Sequence, residues 1–223
     1  MSSKAYYPLF ADLHDRLCVV VGGGLIAQRK VTTLLGYGAR ITLVSPTVTR
    51  RLSAYARQGK IRHVNRRFRP ADLNGAWLVY AATNEEAINE SVYRTATRAQ
   101  IFTNVVDQKP LCSFIAPAIV KRGELVIAIS TGGASPTIAK RLRRELTATI
   151  GHDYARLLRL LRGLRGIAKR RLPSYQDRKR YFDALVDSPV FQLARGGQLT
   201  AARREALTRL ERFGSSNGAS GGR

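Results

Sequence analysis

Three glycines separate a run of valines from a run of helix-forming residues in the segment VVVGGGLIAQRK, residues 19–30. Gly22, Gly24 and Ala27 match the spacing GxGxxG/A of dinucleotide-binding proteins. There the first glycine permits a tight turn, the second lets a pyrophosphate approach the backbone, and the small third residue lets helix pack on strand. The predicted cofactor contacts of this segment are Gly22, Gly24, Leu25, Ile26 and Ala27.

A structural turn and a Walker A phosphate loop are the alternatives to a cofactor site at these glycines. An ordinary strand-to-helix turn also uses glycine, whereas a Walker A phosphate loop needs a Gly-Lys-Ser/Thr sequence that does not follow here. The motif follows a first strand and opens a helix, which favours the cofactor site. The second strand ends in Ser45, Pro46 and Thr47, where many NAD sites carry an acidic residue on the ribose. These three residues are predicted to contact NAD, while Arg50 and Arg51 leave NADP open.

Strand and helix patterns alternate around the motif. β-rich runs occur at residues 19–21, 39–46, 61–65, 77–83 and 101–107, and helical patterns lie at 25–35 and 85–99. Strands joined by helical crossovers form a parallel sheet. The sequence therefore predicts an α/β fold with a Rossmann-like doubly wound parallel sheet in an NAD-binding domain over residues 1–112.

The pattern changes after Asp107. Two β-rich runs between residues 113 and 131 flank Lys121-Arg122-Gly123 and predict an antiparallel hairpin. Ser135 and Pro136 predict the N-cap and first position of a helix. The segments that follow predict a small α+β region over 113–150, a helical domain over 151–212, and a disordered Gly/Ser tail over 213–223.

Composition limits the possible chemistry. The chain carries 38 Lys+Arg and 15 Asp+Glu, a net charge of +23, which attracts polyanions. Two cysteines without a CxxC pair and three scattered histidines predict neither a disulfide framework nor a protein-built metal site. No apolar run reaches the roughly 18 to 20 residues that span a bilayer, and no signal peptide is evident, so a cytoplasmic location without a membrane partner is expected.

Four segments in this order resemble the precorrin-2 dehydrogenase/sirohydrochlorin ferrochelatase family: YYPLF, VVVGGGLIAQRK, TNVVDQKPLCSFIAPA and ISTGGASPTIAKRLRREL. The resemblance implies oxidation of precorrin-2 to sirohydrochlorin with NAD, followed by insertion of ferrous iron as a substrate to give sirohaem. It also implies a homodimer, with residues 113–150 as the dimerisation region. The methyltransferase domain of larger sirohaem synthases is missing, so a separate uroporphyrinogen methyltransferase is expected upstream.

The resemblance also assigns site residues. Asp107 matches the aspartate of the family's NVVD motif and is the predicted general base, whereas the residues alone favour a turn or N-cap aspartate. Ser130, Thr131, Gly132 and Gly133 precede a helix whose N–H groups could hold a substrate carboxylate, with an ordinary capped loop as the alternative. In some members of the family a serine in this segment can be phosphorylated, and the matching residue here is Thr131. The three histidines, His14, His63 and His152, are expected to be surface or structural residues. Cys18 is expected to be a buried strand residue, and Cys112 a small residue beside the site and not a nucleophile.

Two alternative functions remain open on the sequence. The first is a dehydrogenase that oxidises precorrin-2 but leaves chelation to another enzyme. The second is a nucleic-acid-binding, NAD-sensing regulator, which the charge of +23 and the arginine-rich segment 154–172 support. No helix-turn-helix, RNA-binding or zinc-knuckle signature accompanies that charge, so nucleic acid is the less favoured partner.

Overall fold

A computed structural model describes residues 5–218, with side chains through Phe213. The chain divides into two compact units, and the division falls between Ala116 and Pro117. Over the described residues, the first unit contains a parallel sheet and the second contains a β-hairpin and a group of helices. Among the described helices, none is long and apolar enough to cross a membrane.

The first unit is built on parallel strands joined by helical crossovers. The strands β1 to β5 lie at Leu17–Val21, Arg40–Val44, Arg62–Val64, Leu78–Ala81 and Phe102–Val105. The helices α1 to α3 lie at Leu25–Leu35, Arg50–Arg57 and Glu86–Arg98. The strand order β3-β2-β1-β4-β5 confirms the predicted Rossmann-like doubly wound sheet. The winding direction reverses between β1 and β4, which is where such sheets bind ligands.

Strand β1 is buried on both faces of this sheet. Cys18 and Val20 belong to the core that includes α1, whereas Val19 and Val21 belong to the core that includes α3. Successive side chains of a strand point to opposite faces, so helices on both sides require the continuous apolar run seen in the sequence. The registers align the carboxyl ends of β1, β2 and β4 at one edge.

The second unit begins with the predicted hairpin. Strands β6, at Ala118–Arg122, and β7, at Leu125–Ile129, pair antiparallel. Helix α4, at Pro136–Thr149, starts where the sequence predicted, because the Ser135 hydroxyl accepts a hydrogen bond from the Ile138 amide at 3.2 Å. The Arg122 guanidinium donates to the carbonyls of Thr147 and Ile150, both at 2.9 Å, and ties the hairpin to the end of α4.

The remaining described residues are helical, as predicted. Helices α5 to α8 lie at Asp153–Arg171, Tyr175–Val186, Pro189–Arg195 and Leu199–Gly218. They share a core in which Leu157, Leu164 and Tyr181 are buried. The Tyr181 hydroxyl donates to the Ala206 carbonyl at 2.8 Å, so this buried polar group is paired.

Two expectations about the second half of the chain differ from the structure. Helix α8 continues to Gly218, so residues 213–218 are helical instead of disordered, because a helix that has already formed gains one hydrogen bond for each residue it adds. Residues 219–223 of the predicted tail lie outside the described residues. The predicted regions 113–150 and 151–212 also lie in one compact unit, which begins after Ala116. The two regions pack closely, because a Cβ placed on Gly123 would lie 3.0 Å from the Ala155 side chain of α5.

Candidate active site

The glycine loop, residues 22–24, joins β1 to α1 at the carboxyl edge of the sheet. Gly22 has φ of +116°, and a Cβ there would lie 2.3 Å from the Ala82 carbonyl oxygen. A Cβ on Gly23 would lie 1.7 Å from the Thr47 carbonyl oxygen. Neither position can therefore hold a side chain, because the loops that follow β4 and β2 approach the backbone of these glycines too closely. The GxGxxG/A spacing does not include Gly23. Its need for glycine comes from Thr47, which is close in space but distant in sequence.

Gly24 is different, because a Cβ on it would meet no atom within 4 Å. It is the N-cap of α1, and that helix has neither a side-chain cap nor an acidic residue in its first turn. Leu25 and Ile26 are exposed, whereas Ala27 is fully buried. Ala27 therefore serves helix packing, as the motif predicts, and the unpaired N–H groups beside Gly24 suit a pyrophosphate.

The loop after β2 lies against the glycine loop. The Thr49 amide donates to the Gly23 carbonyl at 3.0 Å. Ser45 is buried, and its hydroxyl donates to the Thr47 carbonyl at 2.7 Å, while His63 Nε2 lies 2.9 Å from the Ser45 carbonyl oxygen. The Ser45 hydroxyl is thus occupied within its own loop. Pro46 and Thr47 are exposed beside the glycines and are better placed than Ser45 to contact a ribose.

Asp107 lies two residues beyond β5 at the same edge of the sheet. Its φ is +60°, and the Gln108 amide donates to the Val105 carbonyl at 3.2 Å, so Asp107 occupies a tight turn. The Val106 amide donates to the Ala81 carbonyl at 2.9 Å, which fixes this turn to the end of β4. The side chain is exposed. The turn interpretation of Asp107 is confirmed, and the role of general base stays a prediction, which this exposed position at the sheet edge allows.

A buried polar cluster that the sequence analysis missed lies beside this turn. The Lys30 ammonium of α1 is 4.5 Å from the centroid of the Tyr80 ring of β4. The Cys112 thiol donates to the carbonyls of Val105, at 3.2 Å, and Gln108, at 3.3 Å. Lys30 could have been noticed as a charged residue beside the apolar positions of α1, but its neighbours are set only by the strand order.

Burial dominates the electrostatics of this cluster. It lowers the pKa of Lys30, and the charge of Arg29 lowers it further, while Asp107 and Cys112 act in the opposite direction. Burial also raises the pKa of Tyr80 to about 12. Tyr80 is consequently neutral at physiological pH, and Asp107 and Cys112 favour the charged form of Lys30.

The β7–α4 loop, residues 130–133, belongs to the second unit. Gly132 and Gly133 have φ of +59° and +81°, which glycine adopts without the strain of a side chain. The Thr131 hydroxyl accepts from the Ser135 amide at 3.2 Å and donates to the Ser135 carbonyl at 3.1 Å. The Ser130 hydroxyl accepts from the Gly132 amide at 3.0 Å. Side chains of this loop therefore pair the Gly132, Ser135 and Ile138 amides at the start of α4.

The structure brings together part of the predicted site. Gly22 and Gly24 flank Gly23, which adjoins Ser45 and Thr47, and Asp107 lies at the same sheet edge. The residues 130–133 lie in the other unit. Cys18 and Cys112 are buried, His14 and His152 are exposed, and His63 supports the loop after β2. Within residues 5–218, no group of three His, Cys, Asp or Glu side chains is arranged to hold a metal ion.

Proteins of known activity resemble this chain over most of its length. The siroheme synthase of Thioalkalivibrio sulfidiphilus is 40% identical over 206 residues, covering 92% of this chain. Siroheme synthase 1 of Aeromonas salmonicida is 39% identical over 198 residues, covering 88% of this chain. In both comparisons the chain spans only 42% of the relative's length. The solved structure of SirC, precorrin-2 dehydrogenase, matches with a TM-score of 0.77 at 29% identity, covering 93% of this chain and 100% of SirC.

The fold and the glycine loop define an NAD(P)-binding protein of the Rossmann class, and an NAD(P)-binding family model matches residues 9–118. The model of the sirohaem biosynthesis protein central region matches residues 122–149, and that of the sirohaem synthase dimerisation region matches 153–210. The chain belongs to the precorrin-2 dehydrogenase/sirohydrochlorin ferrochelatase family.

The family models divide the second half of the chain differently from the sequence analysis. Dimerisation was expected over residues 113–150, whereas the model described as the dimerisation region matches residues 153–210. Both segments lie in the unit after Ala116.

Proposed function

We propose that this chain oxidises precorrin-2 to sirohydrochlorin with NAD as the hydride acceptor. The observation that carries the proposal is the uncapped start of α1 beside Gly24, at the same sheet edge as Asp107, because this edge offers an anion site and a proton acceptor. The likeness to SirC over that protein's full length supports the same activity. The charge of +23 suits a substrate that carries many carboxylates.

The chain's own residues supply binding and proton transfer. NAD, when bound, accepts a hydride from the macrocycle, and the oxidation also releases one proton. The N–H groups at the start of α1 hold the pyrophosphate, with Pro46 and Thr47 beside the ribose. Asp107 accepts the proton as general base. Ser130, Thr131, Gly132 and Gly133 are the proposed contact of the second unit with a substrate carboxylate.

We propose NAD over NADP. The Arg51 guanidinium donates to the Tyr55 hydroxyl at 2.9 Å, so one of the two arginines that kept NADP open is already engaged by a neighbour on α2. NADP carries an additional phosphate, which would lie near the loop that holds Ser45 and would need an arginine nearby. Calorimetric titration with the two cofactors tests this preference, and tighter binding of NADP would reverse it.

Ferrous iron insertion is proposed as a second reaction of the same chain. The macrocycle nitrogens become the iron ligands and release two protons, so the protein needs a proton acceptor and no metal cage of its own. Iron is then a substrate. The siroheme synthase relatives favour this second reaction, whereas the name of SirC specifies only the dehydrogenase. A dehydrogenase without chelatase activity is therefore the second candidate.

We also propose that the chain forms a homodimer and acts in the cytoplasm. A separate uroporphyrinogen methyltransferase would supply its substrate. The exposed side chains of Ile138 and Leu142 lie one turn apart on α4 and suit a contact with a second copy. Sedimentation should report about twice the chain mass of 24.7 kDa. Ile138→Asp should produce monomers if the interface uses residues 113–150. A dimer that persists in this variant favours an interface within 153–210.

One experiment tests the two reactions in sequence. Purified protein is incubated with enzymatically made precorrin-2 and NAD, while NADH and the visible spectrum are followed. We expect one NADH for each sirohydrochlorin formed. Ferrous iron is then added, and the loss of sirohydrochlorin absorbance is corrected for the uncatalysed rate. NADH formation no faster than in a protein-free sample would reject the dehydrogenase activity. Iron insertion at the uncatalysed rate would mean that the chain is a dehydrogenase without chelatase activity.

Asp107→Asn tests the base. The amide keeps the shape of the side chain but cannot accept a proton at neutral pH, so both reactions should slow by roughly 10²-fold or more. NAD affinity and the thermal midpoint should stay at the parental values, because the side chain is exposed. Full activity of the variant in both assays would assign the proton to water or to another group.

A further inference from the structure

Lys30 occupies an unusual position for a lysine. It is half-buried on α1, and its ammonium lies over the Tyr80 ring instead of extending into solvent. Burying a charged group is costly unless a partner compensates for it. Lys30 makes no ion pair with a described carboxylate within 4.0 Å, so its compensation comes from the ring and from longer-range charges. Packing alone does not account for this arrangement.

The strand register relates Tyr80, whose ring lies under the Lys30 ammonium, to the turn that contains Asp107. Tyr80 pairs with Asn104 and Ala81 with Val105 in the β4–β5 ladder, and Asp107 follows two residues later. The Val106 amide donates to the Ala81 carbonyl, so the turn is fixed relative to the strand that carries Tyr80. An ammonium held over the Tyr80 ring is therefore held at a defined place near Asp107.

The charged and titratable groups around Lys30 come from several elements. Arg29 is its neighbour on α1, Asp107 follows β5, Cys112 lies beyond that turn, and Tyr80 is on β4. Tyr6, from the segment before β1, interacts with Cys112, and its hydroxyl oxygen is buried without a described partner. Asp107 is the carboxylate among the groups that act on Lys30. Asp107 is therefore within range of the positive charge of Lys30.

We infer that Lys30 is a positioning residue for Asp107: it holds a fixed cation near the turn that contains Asp107 and thereby keeps the carboxylate in one orientation. This inference rests on the proposed role of Asp107. Lys30 acts through Asp107 and need not touch the substrate or the cofactor. It follows that Lys30 should matter for turnover, much less for cofactor binding, and only while residue 107 carries a charge.

Kinetics of a double-mutant cycle test the coupling. Lys30→Met keeps the length of the side chain without the charge, and kcat should fall roughly tenfold with little change in KM or in NAD affinity. Lys30→Arg should restore most of kcat. In the Asp107→Asn background, Lys30→Met should have no further effect, because residue 107 no longer carries the charge through which Lys30 acts. Equal losses in both backgrounds would overturn the inference.

A second measurement does not depend on activity. The side chain of Lys30 is followed by NMR as a function of pH in the unmodified protein, in Asp107→Asn and in the control Arg29→Met. Asp107 raises the pKa of Lys30 and Arg29 lowers it, so the titration midpoint should move down in Asp107→Asn and up in Arg29→Met. A midpoint unchanged by Asp107→Asn would reject the pairing, even if no oxidation of precorrin-2 were found. A shifted midpoint without enzymatic activity would retain the pairing and reject the proposed function.

Discussion

The glycine loop at residues 22–24 and the β7–α4 loop at residues 130–133 look alike in sequence but differ in structure. Each contains adjacent glycines and leads into a helix. No described side chain caps α1 after the first loop, whereas Ser135 caps α4 after the second and Thr131 binds both backbone groups of Ser135. Glycine provides the backbone freedom in both loops. The first loop leaves the start of its helix without a side-chain cap and so open to an anion, whereas the second has the Ser135 and Ile138 amides already paired.

The glycines themselves are required for different reasons. Gly22 and Gly23 are needed because the loops after β4 and β2 approach their backbone closely. Gly132 has no atom within 4 Å of a Cβ position and is needed because its φ is +59°. The first loop is therefore held by neighbouring strands, and the second by its own hydrogen bonds. Substitutions in the two loops should separate these causes.

The largest effect is expected from Gly23→Ala. The new Cβ would lie 1.7 Å from the Thr47 carbonyl oxygen, and backbone must move to make room. We expect a loss of about 3 kcal/mol in the free energy of unfolding, together with weaker NAD binding. Gly132→Ala is the control: its positive φ should cost only about 1 kcal/mol and leave NAD affinity unchanged. Urea unfolding and calorimetry measure both quantities, and equal stability losses would remove the contrast.

Gly24→Asp should affect binding without harming the fold. Residue 24 has an ordinary φ of −78°, and aspartate is a favourable N-cap, so the thermal midpoint should not fall. The carboxylate would occupy the place of the pyrophosphate and repel it. We expect NAD affinity to drop about 100-fold, which corresponds to about 2.7 kcal/mol.

Gly24→Asn is the matched variant for that substitution. It caps α1 in the same way and fills nearly the same volume, but it lacks the charge. The difference in NAD affinity between the two variants therefore measures the electrostatic part of the effect. Parental affinity in Gly24→Asp would mean that the glycine loop is only a structural turn.

The smallest effect is expected from Ser135→Ala. It removes the hydrogen bond to the Ile138 amide and should cost about 1 kcal/mol of unfolding free energy, with NAD affinity unchanged. Ser174→Ala removes the corresponding cap of α6 and should cost a similar amount. A Ser135→Ala protein of parental stability would show that the β7–α4 loop does not depend on its cap, and the contrast with α1 would weaken.

The sequence by itself determined the parts of this protein that depend on short-range patterns. The alternation of apolar runs and helical periods predicted the doubly wound sheet, and Gly22, Gly24 and Ala27 predicted the turn that leads into α1. Ser135 and Pro136 predicted the start of α4. These features follow from backbone geometry and side-chain spacing within one turn or one strand, so neighbouring residues suffice to specify them.

Only the tertiary structure decided the contacts at the carboxyl edge of the sheet. It made Gly23 as necessary as Gly22, turned the Ser45 hydroxyl into its own loop, and placed Lys30 over Tyr80 beside the turn of Asp107. The contacts of Gly23 with Thr47 and of Lys30 with Tyr80 join segments that are far apart in the chain. The strand order β3-β2-β1-β4-β5 determines which segments meet there. Local propensities carry no information on that order, because it results from burying both faces of the sheet at once.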